Sequence, residues 1–125
     1  MITKLINIFN MPAELSKKDK RIARELIEKG LQIEFQQGMQ QFDAILQKWK
    51  NEQQDNRDAY HHLYKTVRDF DKHIARRYNN IKGSTYTMIL GAQLADKLIS
   101  EEDLAEMNQD AKNDVISCAR VINSM

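Results

Sequence analysis

Little in this chain can brace it covalently or break its helices. It holds one cysteine, one proline and four glycines in 125 residues. Cys118 alone rules out an internal disulfide, and a sole cysteine fits a reducing cytoplasm. No apolar run approaches the ~20 residues that a membrane span requires. Met1–Phe9 (MITKLINIF) is short, Asn7 and Asn10 interrupt it, and a secretory leader would want a longer apolar centre. Its Ile2, Leu5, Ile6 and Phe9 can share one helical face, which predicts a short amphipathic segment docked onto the rest. A glycine-rich phosphate loop is missing as well, because Lys82-Gly83-Ser84 lacks the upstream glycine and the residue order.

What the chain has in abundance is Gln, Glu, Lys, Leu and Ile, which favour helix. The apolar share of 42% and charged share of 30% are those of a soluble globular protein. The length suits one domain, residues 1–125, able to bury a core without metal or disulfide. The formal net charge of +1 argues neither for nor against an anionic partner.

The dominant pattern runs from Phe35 to Ile81. Alternating steps of four and three reach Phe35, Met39, Phe42, Leu46, Trp49, Gln53, Asn56, Tyr60, Leu63, Val67, Phe70, Ile74, Arg77 and Ile81. Eleven of these fourteen are apolar or aromatic. A 3.5-residue repeat marks helices that lay one face along their neighbours. Ser16, with Asp19 three residues on, caps a helix that should run to about Gln53, with a possible break at Gly30. Asn51–Asp58 (NEQQDNRD) has no apolar side chain, so it reads either as a turn capped by Asp55 or Asn56, or as part of one very long helix. The turn is favoured, since helices average about 11–12 residues. A second helix is expected from about Arg57 to Tyr78, and Ser84 or Thr85 should cap the next. Ser100 with Asp103 repeats the cap pattern, as a new helix or within a bent one. The fold class is therefore all-α: an antiparallel bundle of three to four main helices. Phe42, Trp49, Leu63, Phe70 and Val115 are expected to be buried together. Lys97–Leu104 (KLISEEDL) resembles most of a common epitope tag, but helical patterning continues on both sides and the segment reads as native.

Candidate chemistry concentrates between residues 57 and 84, which hold seven Lys/Arg against three acids. Lys65, Arg68, Lys72 and Arg76 make a basic stripe that could meet phosphates. Asp69 interrupts it, and no aromatic on that face is expected to stack on bases. His61, His62 and His73 lie near Asp58 and Asp69 at helical spacing. Cations share their face, opposite the apolar stripe, and no pair of Glu-x-x-His motifs accompanies them. Solvated pairs four residues apart are expected there rather than a metal or other cofactor.

Arg68-Asp69-Phe70-Asp71-Lys72-His73 (RDFDKH) resembles the Arg-polar-x-x-x-His motif of HEPN domains, small all-helical modules, many of them RNases, with paired motifs across a dimer. The resemblance implies phosphate contact by Arg68 and proton transfer by His73 in RNA cleavage, with Asp69 at the polar second position. It covers six residues, and Ile74-Ala75 replaces the small residue and aromatic that often follow the family's histidine. On a regular helix Arg68 and His73 stand about 140° apart, so one phosphate reaches both only across a dimer or a distorted turn. The function expected from the residues is a non-catalytic helical interaction or structural module, with a protein partner or self-association. The alternative is a HEPN-like RNase or a nucleic-acid-binding regulator using Arg68 and His73.

Overall fold

The computed structural model describes residues 14–125; the expectation for the N-terminal amphipathic segment lies outside them. The described residues form four α-helices and no strand: α1 (Lys17–Lys50), α2 (Asn56–Tyr78), α3 (Tyr86–Ala95) and α4 (Gln109–Ser124). The fold is all-α. Contacts cluster into two compact units. One holds the described residues through Leu31 together with Asn80–Met125, and the other is Gln32–Asn79. α1 contributes to both.

The first unit has a closed apolar core built on Ile22, Ala23, Leu26 and Ile27 of α1, Ile89 and Leu90 of α3, and Ala111, Val115 and Cys118 of α4. Ser16 caps α1 as expected, its Oγ accepting the Asp19 backbone N–H at 3.1 Å. The Asp19 carboxylate, itself buried, accepts the Asn108 N–H at 3.1 Å and so serves the start of α4. α3 meets α4 where Gly91 lies on Cys118; a Cβ at Gly91 would stand 2.7 Å from the sulfur. Burial raises the Cys118 thiol pKa, which keeps it a protonated packing group.

Two sequence expectations are decided in this unit. α1 does not break at Gly30, because the missing side chain makes room for Gln93, which donates to the Ile27 carbonyl at 3.0 Å. Ser100 does not start a helix. Its N–H donates to Asp103 Oδ2 at 2.9 Å and opens a 3-10 turn, Glu101–Leu104, while α4 begins only at Gln109. Asp103 also accepts from Lys29 Nζ at 2.9 Å, and those two donors, the ammonium first, hold its carboxyl below the usual range. Leu98, Ile99 and Leu104 are all buried, so the tag-like segment is an integral part of the core.

The second unit is a helical hairpin. The polar stretch after Trp49 is a turn, as favoured, and not a continuous helix. Glu52 adopts φ 60°, its N–H bonds the Trp49 carbonyl, and the Gln53 N–H reaches back to the Lys48 carbonyl at 2.9 Å. That pair of bonds ends α1 in a Schellman motif. Asp55 then caps α2, accepting the Asp58 N–H at 2.8 Å. Asn56 is no buried seam residue; its Oδ1 accepts the Trp49 indole N–H at 2.7 Å across the turn.

Candidate functional site

Within the hairpin, the face of α1 turned to α2 carries Glu34, Gly38 and Ile45, all buried. This row runs one residue ahead of the stripe Phe35, Met39 and Leu46 read from the sequence. One step is about 100° around a helix, so those three lie on the flank of the seam and stay partly exposed. The reason is close packing. Phe70 of α2 lies on Gly38, where a Cβ would meet its Cζ at 2.5 Å. Phe35 and Phe42 pack edge-on against the same ring, with centroids 6.0 and 5.7 Å away.

The expected shared core is thereby corrected. Val115 is buried in the first unit, whereas Phe42, Leu63 and Phe70 are half-buried in the hairpin and Trp49 is 40% exposed. A two-helix unit has only one internal seam and cannot surround side chains on every flank.

At one end of the hairpin, Glu34 gathers three partners from α2. His73 Nε2 stands 2.6 Å from Oε2, Arg77 Nη1 donates to Oε1 at 3.1 Å, and the Tyr78 hydroxyl donates to Oε1. The Glu34 side chain is 6% exposed and that of His73 is 43% exposed. A buried carboxylate is tolerated only with such partners, and here the arginine supplies the countercharge.

His73 therefore does not sit on a fully solvated face, as the spacing implied, and it is not paired with Asp69. Asp69 instead takes Lys65 Nζ at 2.9 Å, and that bond is the leading cause of its lowered carboxyl pKa. Arg68 lies elsewhere on α2, its guanidinium 5.7 Å from the centre of the Tyr64 ring. Because α2 is regular from Asn56 to Tyr78, Arg68 and His73 keep their ~140° separation. The helix does not bring the two halves of the Arg-x-x-x-x-His motif together. Carboxylate-oriented imidazole is a general-base arrangement in principle. In this hairpin the same carboxylate also ties down Arg77 and Tyr78, which makes it a clasp between α1 and α2. Glu34 was missed by the sequence reading, though its place between Leu31 and Gly38 at steps of three and four was the available signal.

The basic stripe is also partly committed: Lys65 to Asp69 and Arg68 to Tyr64. An aromatic does border it after all. Tyr64 is exposed and stacks at 6.4 Å on Tyr60, one turn earlier. Among the described residues, no group of three or more His, Cys, Asp or Glu side chains is placed to hold a metal ion. No helix among them is long and apolar enough to cross a membrane.

The most unusual surface of the hairpin is apolar. Phe35, Met39, Leu46 and Trp49 of α1, with Tyr60, Tyr64 and Val67 of α2, are all exposed. Near the turn, Leu46, Trp49, Asn56, Ala59, Tyr60 and Leu63 line an open groove of about 210 Å3. At 100° per residue, Gln37, Gln41, Ala44 and Lys48 of α1 and His62, Thr66 and Asp69 of α2 fall on the opposite flank. One flank is apolar and the other is mainly polar. No family model, curated protein or solved structure matches the chain.

Proposed function

We propose that this protein is a non-catalytic helical interaction module that associates with a second copy of itself through the apolar flank of the Gln32–Asn79 hairpin. The observation that supports the reading is the concentration of exposed large apolar side chains, seven of them, in this one unit. Antiparallel helices joined by a short turn leave half a core open, and two such hairpins can close a four-helix core. Aromatic side chains carry roughly 150–250 Å2 each, so seven large apolar side chains about half exposed offer roughly 600 Å2 per hairpin. Two copies would bury roughly 1,200 Å2, the lower bound for stable specific interfaces. A second copy fits because the surface carries both protruding side chains and a groove, so it is complementary to itself. The lone buried Cys118 is in keeping with work in a reducing cytoplasm.

The test is a pair of charge substitutions on the apolar flank. Leu46→Glu with Val67→Glu should abolish concentration-dependent association in sedimentation velocity and leave the helical circular dichroism unchanged. Association undiminished in that variant would place the interface elsewhere and end this reading.

A further inference from the structure

We infer that the two hairpins pair antiparallel about a two-fold axis beside Phe42 and Asp43, with Met39 of each copy entering the groove of the other. This rests on the self-association proposed above and specifies its geometry. The protruding part is Met39, 63% exposed, more than Leu46 or Val67, the other large aliphatic side chains on this flank. Phe35 is less suited, since its ring is already held edge-on against Phe70. An unbranched thioether adapts to irregular cavities. The receiving part is the groove between Leu46, Trp49, Ala59, Tyr60 and Leu63. Its ~210 Å3 is room for about seven waters, ample for a side chain of four heavy atoms.

The spacing selects the direction. Met39 and Leu46 are seven residues apart, so they lie about 20° apart around α1 and about 10 Å apart along it; Trp49 lies about 15 Å along. Both features therefore sit towards one flank at separated heights. A closed dimer has an isologous interface, in which residue i meets j and j meets i. Antiparallel pairing about a point midway satisfies this, placing each Met39 at the other copy's groove. Parallel pairing would set Met39 against Met39 and leave both grooves empty.

Cysteine cross-linking reads this directly, because the native Cys118 is buried. Met39 and Tyr60 are 63% and 64% exposed, so Met39→Cys and Tyr60→Cys leave the hairpin interior intact. Disulfides form only when Cα atoms come within about 7 Å. Under mild oxidation, an equimolar mixture of the two single variants should give a disulfide-linked heterodimer. Met39→Cys alone should give at least tenfold less, because its symmetry mate is more than 10 Å away. Efficient linking of Met39→Cys to itself would overturn the antiparallel geometry. A dimer by sedimentation with no Met39–Tyr60 link would overturn the knob-and-groove pairing while self-association stands. A monomer by sedimentation would remove both.

Discussion

The ring of Phe70 rests on the backbone of Gly38, at a distance that no other residue in place of the glycine would permit. This contact sets how closely α1 approaches α2, and so decides which side chains the hairpin can enclose. In an isolated helix, Gly38→Ala would be favourable by about 1 kcal/mol. Here the added methyl displaces Phe70 and its two edge-on neighbours, and overpacking costs about 1–3 kcal/mol. Gly38→Ala should therefore lower stability in urea melts, and Phe70→Ala should lower it by about 3 kcal/mol. A stabilised Gly38→Ala variant would show that the helices do not meet there.

The clasp at Glu34 should matter more than its place in the sequence suggests. Glu34→Ala removes the carboxylate that the mostly enclosed Arg77 guanidinium, His73 and Tyr78 all meet, and breaking such a pair costs about 3 kcal/mol. His73→Ala, at a half-exposed position, should cost about 1 kcal/mol. Equal effects of the two substitutions on the denaturation midpoint would contradict the assignment of Arg77 as the principal partner.

Two helix ends hold residues in a left-handed conformation where glycine is usual: Glu52 at φ 60° and Lys97 at φ 61°. After α3, Lys97 N–H bonds the Leu94 carbonyl and Leu98 N–H the Gln93 carbonyl, the same bond pair as after α1. Glu52→Gly and Lys97→Gly should each raise stability by up to about 1 kcal/mol, since the left-handed region disfavours side chains by that order. A loss of stability in both would mean that these turns are held differently.

Arg68 and His73 put the enzymatic alternative at risk. With the pair splayed around α2, purified protein should not cleave mixed RNA between pH 5 and 8, the range in which a histidine titrates. Arg68→Ala should shift stability by under about 0.5 kcal/mol. Cleavage by the wild type that disappears in both Arg68→Ala and His73→Ala would require two protomers to build a nuclease site.

Much of the architecture was legible in the residues. Ser16 and Asp55 sit at helix starts because short polar side chains reach the free N–H groups of a first turn, and that chemistry is local. The buried faces were harder to read. The 3.5-residue stripe located the amphipathic helices and the half-buried Phe42, Leu63, Phe70 and Ile74, but on α1 it set Phe35, Met39 and Leu46 one residue off the buried row Glu34, Gly38 and Ile45. Glu34 was hidden for a related reason: its partners lie 39 to 44 residues away, and only the register of α2 brings them together. Ser100 and Asp103 form the bonds of a cap, but those bonds serve a 3-10 turn equally well.

The self-association of the hairpin is tested most directly by the mass of the unmodified protein in solution. Sedimentation equilibrium over micromolar to near-millimolar concentration should show a reversible rise from the chain mass of 14.6 kDa to twice that value. A mass that stays at 14.6 kDa across the whole range would contradict it.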